Sequence, residues 1–430
     1  MSLRNLKIIV LVAGLSLFCY WTHQRTRHAM VVGDALELID NHYVEPVESR
    51  ELILNALKGL TGGLDPNSEF VPMEQYQQLQ DAMTQEFAGI GIYIIPAPDD
   101  LGVQVRTPLV GSPAMRAGML GGDIFTKINN EDVVGMSLKE VTERLKGPVG
   151  SVVQVAVLRG DETIELEITR DRIQIDSVIG DHRNEDNQWV YRLNHHPRIG
   201  YARLTTFGEK TPTELRQVLQ QCDDVDGFIL DLRHNGGGLL ETAVAVCDLF
   251  LAGGKVVSTR IRGGVIDSER LASPDTVLNP KVPMAVLVDH QSASASEIVA
   301  AALQDQKRAT IIGTRTFGKG TVQNVIPLEV GRSALKLTVA KYIRPSGENI
   351  HRDEKATEED TWGVMPTETD TIELEDSQWI ELFRAWSRAS YPYAAKLPED
   401  LVPEESETEW TDPHIQRAIE ILVPQPVDAS

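Results

Sequence analysis

The spacing of apolar and polar positions changes several times along the chain, and each change marks a different kind of element. A nearly unbroken apolar run occupies residues 8–21, behind a basic start. Val32, Leu36, Ile39 and Tyr43 then keep helical spacing, and Ile53, Leu57 and Leu60 repeat it up to a Gly62-Gly63 stop, which predicts a small helical segment. From Gly89 to about Arg172 the texture turns to short strands at 91–95, 103–107, 124–128, 152–158 and 163–169, around one amphipathic helix at 138–145. This is the pattern of a separate, mainly β module. A polar, poorly patterned stretch at 180–198 leads into strands and helices that alternate: a strand at 199–204, a helix from Pro212, a strand at 227–232, a helix from Leu240, a strand at 284–289, a helix from Ala295 and a strand at 309–312. Thr211, Pro212 and Glu214 are spaced for a capping box at the first of these helices. Such alternation predicts an α/β core layered by helices, closed by a period-two run at 334–342. In the last sixty residues Ile415, Ile419 and Leu422 are spaced for a docking helix.

Composition narrows what such a chain can be. Its 430 residues exceed one small module and correspond to two or three domains. With 42% hydrophobic and 24% charged residues and no low-complexity run, it is neither disordered nor fibrous. A formal charge of −22 argues against nucleic acid or an anionic membrane surface as the main partner, because polyanions are repelled. The charge is uneven, however: residues 1–28 carry Arg4, Lys7, Arg25 and Arg27 and no acid, whereas residues 367–430 hold fifteen acids against four bases. The three cysteines, Cys19 in the leader and Cys222 and Cys247 in the body, offer neither a disulfide framework nor a CxxC metal site. Buried free thiols are expected of Cys222 and Cys247 in preference to a bridge.

The basic-then-apolar start reads as an export signal or a short membrane anchor. No small-residue cleavage site follows, since the run ends Phe18-Cys19-Tyr20-Trp21 and passes into His23, Arg25, Arg27 and His28. The expectation is an uncleaved anchor over residues 7–22, with cleavage and secretion as the alternative. Fourteen apolar residues fall short of the ~20 that span a bilayer, so Lys7 would snorkel and Tyr20 and Trp21 would sit at the interface.

Three clusters of small residues follow the strand-like runs of the α/β part. They are Asp231-Leu232-Arg233-His234-Asn235-Gly236-Gly237-Gly238, Ser292-Ala293-Ser294-Ala295-Ser296-Glu297 and Phe317-Gly318-Lys319-Gly320-Thr321-Val322-Gln323. Ligands of open α/β sheets bind beyond the strand ends, so the clusters are candidates to converge. Taken singly, each has a plain structural reading as a tight turn, a helix start or a fragment of a phosphate loop. The phosphate reading fails in detail: from Gly313 the chain reads G-T-R-T-F-G-K-G, with glycine where a P-loop needs a Mg²⁺-binding hydroxyl, and no clear Walker-B run follows. A nucleophile fits better. Ser294 before Ala295 sets a hydroxyl at a strand-to-helix turn, next to helix N-terminal N–H groups that can hold a developing oxyanion. Its base is a His or a Lys. His234 and His290 lie near the clusters without an evident acid to orient them, whereas Lys319, flanked by glycines and near Phe317 and Val322, would bind its proton less tightly if buried and could then take the serine proton.

At these residues the chain resembles the carboxyl-terminal processing, or tail-specific, proteases, a family of Ser/Lys endopeptidases with an embedded PDZ domain. Three motifs in order carry the resemblance: DLR.N.GG at 231–238, SASASEI at 292–298 and TFGKG..Q at 316–323. It extends from about Met30 to Thr367 and more weakly through residues 412–422. It implies Ser294 as nucleophile, Lys319, 25 residues later, as general base, and Gln323, one helical turn further, as the residue that positions the lysine. It also implies Gly237 and Ala295 as oxyanion donors, with Gly236 a close alternative, and Glu297 and Asp305 as acidic support. The β module is similar to the family's PDZ domain, with Gly89-Ile90-Gly91-Ile92 as the loop whose N–H groups capture a C-terminal carboxylate while the peptide adds as a strand. Residues 62–70, GGLDPNSEF, match the segment before that domain, with Asn67 where the family commonly has His. Two departures stand out: Gly236 replaces a frequent proline, and residues 348–362, ENIHRDEKATEEDTW, are longer and more acidic than usual.

The fold implied is multidomain α/β: an anchor at 1–28, a helical segment at 29–85, a mainly β PDZ domain at 86–172, a protease core of crotonase-like layered sheet and helices at 173–370, and an acidic helical segment at 371–430. The function implied is a serine endopeptidase that binds protein C-terminal tails through its PDZ domain and cuts near the C-terminus with a Ser/Lys dyad. Its partners would be proteins with unstructured C-termini, with no metal, cofactor or nucleic acid, and its location the bacterial periplasm at the inner membrane. An activating adaptor and homo-oligomerisation are left open. The competing reading is a catalytically inactive PDZ scaffold on a protease fold. Serine, lysine and glutamine at the family's spacing argue against it.

Overall fold

In the computed structural model the described residues are 3–98, 101–328, 333–392 and 410–423; residues 393–409 and 424–430 of the acidic C-terminal stretch lie outside them. The backbone divides into two compact units. One comprises Met1–Tyr76 with Gln323–Thr338, the other Gln77–Val322 with Val339–Ser430.

In the first unit a single helix, Leu3–His42, joins the leader to the helical stretch behind it. Among the described residues no helix is long and apolar enough to cross a membrane. A second helix, Ser49–Gly62, stops at Gly63, where the paired glycines end it. The strand Glu69–Val71 follows and pairs antiparallel with Ala334 to Lys336.

The second unit is built on a sheet whose strands His196–Leu204, Gly227–Asp231, Met284–Val288 and Thr310–Gly313 lie parallel in that order, with Val178–Ile179 antiparallel at the edge. These strands read as continuous apolar runs because both faces of the sheet are covered. Phe228, Leu230, Val286 and Val288 face the core shared with the helices Thr211–Gln221, Leu240–Asp248 and Ala295–Asp305. Their neighbours Ile229, Ala285 and Leu287 face the opposite way, against Ala418 and Leu422 of the helix Pro413–Leu422. The expected docking helix is therefore the second cover of the sheet. Cys222 and Cys247 are both buried free thiols.

The β module forms its own sheet, ordered Ile92–Pro96, Val103–Pro108, Ile124–Ile128, Val152–Arg159 and Glu162–Thr169, around a separate core centred on Val105, Phe125, Val141 and Val157. Its helix Leu138–Leu145 starts with a complete capping box between Ser137 and Glu140. The Tyr391 hydroxyl, just past the helix Asp376–Ser390, donates to the Arg106 carbonyl of this module at 2.5 Å.

Three local expectations change. The capping box expected at Thr211 does not form: the Glu214 carboxylate accepts instead from the Ser177 amide (2.9 Å) and hydroxyl (2.7 Å) and from the Val178 amide, so it serves the neighbouring edge strand. The poorly patterned stretch at 180–198 folds into short antiparallel pairs, His182–Arg183 with Trp189–Val190 and Arg192–Leu193 with His196–Leu204. The period-two run near 334–342 is a strand, Ser333–Ile343, but it does not close the parallel sheet; its later residues, Ala340 to Ile343, pair with Ser258 to Ile261.

Candidate active site

Ser294 stands at a sharp elbow. The strand Met284–Val288 ends, the chain turns through Asp289 to Ala293, and Ser294 caps the helix Ala295–Asp305 with φ +59°. A non-glycine residue there costs on the order of 1–3 kcal/mol and persists only where its surroundings over-determine it. Here they do. The Ser294 amide donates to Glu297 Oε2 at 2.8 Å, and the residue is only 8% exposed. The buried helix start directs its N–H dipoles toward the serine, a setting that favours developing negative charge.

Glu297 does more than cap the helix. Its fully buried carboxylate also accepts from the Thr316 hydroxyl at 2.7 Å, the Gly318 amide at 2.7 Å and the Lys319 amide at 2.8 Å. Burial raises its carboxyl pKa above the ordinary value, and the converging donors act against that rise. One side chain thus pins the lysine loop to the serine elbow, and Lys319 is half-buried there.

The third cluster packs against the same elbow. Asn235 is fully buried; its Nδ2 donates to the Leu204 carbonyl at 2.8 Å, and its own carbonyl accepts from the Ala293 amide and the Ser296 hydroxyl at 3.0 and 2.8 Å. Gly237, at φ +99°, approaches so closely that a Cβ would lie 2.7 to 2.9 Å from Ala293 O, Ser294 Cβ and the Ala295 amide nitrogen. Only glycine fits. The Gly237 amide, expected as an oxyanion donor, donates to Asn235 Oδ1 at 2.9 Å. A backbone N–H carries one hydrogen, so in this arrangement the Gly237 amide is already engaged.

A tyrosine that no sequence pattern marks also reaches the elbow. Tyr342 is 4% exposed, its hydroxyl neighbours the Ser294 side chain, and its amide donates to the Gly320 carbonyl at 2.7 Å. Burial pushes its phenol up to about 12, and the neighbouring Ser294 acts against that rise. His234 does have an acid to orient it. Asp289, 55 residues away in sequence, sits 2.6 Å from His234 Nδ1 and accepts the His234 amide as well. The His234 ring lies among Trp379, Phe383 and Trp386, with centroids 4.7 to 5.9 Å away, so this pair joins the loop to the helix Asp376–Ser390.

The other expected residues fall elsewhere. Asp305 ends the helix that Ser294 begins, on the order of 15 Å away at 1.5 Å per residue, and binds Arg344 through both oxygens at 2.6 and 3.0 Å. These bonds tie it to the segment around Arg344. Gln323 lies on a strand, Thr321–Leu328, and not one turn along a helix. Within the first unit its amide donates to Thr338 Oγ1 at 3.2 Å, and that hydroxyl donates to Asp65 Oδ1 at 3.0 Å, in the GGLDPNSEF segment. Among the described residues no group of three or more His, Cys, Asp and Glu side chains is arranged to hold a metal ion. A cavity of about 1150 Å³ lies elsewhere, lined by Arg203, Trp386 and Ile415 among others and by none of the three clusters.

In the β module Gly89 ends the strand Glu86–Gly89, and the carbonyls of Ile90 and Gly91 accept from the Ala114 and Leu109 amides at 2.9 and 3.0 Å. Gly91 has φ +76°, and a Cβ there would lie 2.5 Å from Ser112 Cβ. Ile92 begins the outermost strand of the sheet, the position at which a peptide can add.

A model of peptidase family S41 matches residues 198–367, and one of the PDZ domain matches residues 104–159. The chain is 38% identical over 326 residues to a carboxy-terminal-processing protease of Bartonella bacilliformis, covering 74% of this chain and 71% of that protein. It is 34% identical over 340 residues to a carboxyl-terminal-processing protease of Synechocystis, covering 77% and 74%. Among solved structures it is similar to a photosystem II D1 C-terminal processing protease, at 28% identity and a TM-score of 0.44 over 81% of this chain and 93% of that one. The chain is a serine peptidase with a PDZ domain, and it belongs to the carboxy-terminal-processing proteases of peptidase family S41.

Proposed function

We propose that Ser294 and Lys319 are the nucleophile and general base of this peptidase, and that the PDZ domain delivers unstructured C-terminal tails to them. The observation that carries the reading is the Glu297 carboxylate, which binds the amides of both Ser294 and Lys319 and so holds the two residues in one frame. In the acylation step the neutral Lys319 amine takes the Ser294 hydroxyl proton as Oγ attacks the scissile carbonyl carbon. Charge then develops on the carbonyl oxygen near the Ala295 amide, at a helix N-terminus that stabilises it. Collapse of the tetrahedral adduct breaks the C–N bond, and the lysine ammonium returns the proton to the departing amine. Water, deprotonated by the same lysine, hydrolyses the acyl-enzyme. Gly89 to Ile92 would supply the N–H groups for the tail's carboxylate, with the tail adding beside Ile92–Pro96.

Ser294→Ala and Lys319→Ala variants, assayed on a denatured substrate with a free C-terminus, test the dyad. Each should abolish cleavage while the chain still binds the tail. Retained cleavage in either would overturn the assignment, and a wild-type chain that binds tails without cutting them would favour an inactive scaffold. The same reading keeps the chain on the periplasmic face of a bacterial inner membrane, held by residues 7–22. Fractionation of the full chain and of one lacking residues 1–28 checks this: only the full chain should sediment with membranes.

A further inference from the structure

The acidic stretch at 348–362 packs on the lysine loop. The Arg352 amide donates to the Gly318 carbonyl at 2.8 Å. A Cβ on Gly318 would lie 2.7 Å from Arg352 Cβ and 2.9 Å from Trp362 Cε3, and one on Gly320 would lie 2.6 Å from His351 Cα. Both glycines flanking Lys319 are thus sites where this segment leaves no room for a side chain. With the Glu297 bonds to the Gly318 and Lys319 amides and the Tyr342 amide on the Gly320 carbonyl, the backbone around Lys319 is held from two sides.

Trp362 organises the outer side. It is 7% exposed, its indole N–H donates to the Thr357 carbonyl at 3.0 Å, and the guanidinium carbons of Arg315 and Arg352 each lie 4.4 Å from its ring. Cation–π attraction favours both contacts. The two cations would repel each other there, but one carboxylate, Glu358, bridges them at 3.4 Å to each. Arg315 precedes the lysine loop and Arg352 is bonded to it, so the indole ties the two ends of one clamp.

We propose that Trp362, acting with Arg352, is a positioning residue for Lys319: the stretch at 348–362 is a clamp on the outer face of the lysine loop, and its acidity serves in part to neutralise the clamp's own arginines. The proposal rests on the reading of Lys319 as general base. A displacement of about 1 Å in a catalytic group can cost on the order of 10²-fold in rate, so a loosened loop lowers turnover without weakening tail capture.

The test is steady-state kinetics of the full chain on an unstructured tail peptide. Trp362→Ala should lower kcat by about 10- to 100-fold with KM within about twofold, and Trp362→Phe, which keeps a flat ring against Gly318, should restore most of the loss. Arg352→Ala, at a half-exposed side chain that leaves Trp362 in place, covers the case in which Trp362→Ala does not fold; it should lower kcat by about 3- to 10-fold, the effect of losing one cation–π contact of about 1 kcal/mol. Wild-type kcat in Arg352→Ala or in a folded Trp362→Ala, or a loss in kcat and KM together that follows the melting temperature, would overturn the clamp. Lys319→Ala run alongside separates the two ideas: full activity there defeats the dyad, whereas an inactive Lys319→Ala beside unaffected clamp variants defeats the clamp alone.

Discussion

Replacing Glu297 by Gln changes one atom and should uncouple activity from stability. In the wild type four donors meet two oxygens: Thr316 Oγ1 and Gly318 N at Oε1, and Ser294 N and Lys319 N at Oε2. A glutamine keeps one acceptor oxygen, so its NH₂ must face one of these pairs. The milder choice is the first, because the Thr316 hydroxyl can turn, but the Gly318 amide is still left against another donor. A buried donor without a partner costs about 1–3 kcal/mol. If about 2 kcal/mol of this appears as misplacement of the lysine loop, acylation slows about 30-fold. Stability falls by less than the lost bonding alone would cost. Burial raises the Glu297 pKa, so its ionised form is penalised in the fold; the group's stability contribution is present below its ordinary 4.5 and is lost as pH rises through the higher folded value. At neutral pH the glutamine removes that penalty and offsets part of the lost bonding. Labelling of Ser294 by a fluorophosphonate gives the acylation rate, and thermal melting gives the stability. A Glu297→Gln chain labelled at the wild-type rate, or one whose rate loss is fully explained by unfolding at the assay temperature, would refute the pinning role.

Removing the Tyr342 hydroxyl in Tyr342→Phe deletes the contact to Ser294 while leaving the backbone bond to Gly320; kcat should fall about 3- to 10-fold at constant KM, the worth of one ordinary hydrogen bond. Gly91→Ala places a methyl group 2.5 Å from Ser112 Cβ at φ +76°. It should abolish tail binding in calorimetry yet leave the hydrolysis of short internal peptides intact. His414 is held below its ordinary 6.5 chiefly by burial, with Arg233 beside it. The unfolded chain therefore binds more protons as pH falls from 6.5 toward the depressed folded value, and stability is lost over that window. Melting temperatures of the wild type should drop between pH 7 and pH 5 more steeply than those of His414→Gln.

What could be read from the sequence was whatever depends on residues close together along the chain. The strand-to-helix elbow at Ser294, the helix start at Ala295 and the alternation of the core follow from local periodicity and small residues, and the lysine from a motif 25 residues on. What could not be read are the long-range partners. Nothing near Glu297 in sequence shows that its carboxylate will receive Gly318 and Lys319, and nothing near His234 announces Asp289. The Thr211 and Glu214 pair had the right spacing for a capping box and still lost to Ser177, because a buried edge strand offered Glu214 three donors at once. The four-residue step from Lys319 to Gln323 suits a helix, whereas that stretch is a strand.

Long-range partners also tie the C-terminal helix to the loop at Arg233. Arg233, two residues before Asn235, has no exposed surface, and such a charge is tolerable only with its partners in place. Asp231 supplies one at 2.6 Å; Asp412 at 2.8 Å and the His414 ring nitrogen at 3.1 Å supply the rest, from nearly two hundred residues further along the chain. The loop that shapes the serine elbow is therefore completed by a segment outside every catalytic motif. Asp412→Ala removes one acid from this group, and breaking a buried pair costs about 3–5 kcal/mol, with the lower end expected because Asp231 remains. Since Arg233 leads directly into His234, Asn235 and Gly237, the cost should reach the active site, and acylation should slow together with the fall in melting temperature. Asp412→Asn, which keeps an acceptor oxygen near Arg233 without the charge, should recover part of both. An Asp412→Ala chain that melts and acylates like the wild type would mean that Arg233 needs only Asp231, and that the helix Pro413–Leu422 covers the sheet without supporting the site.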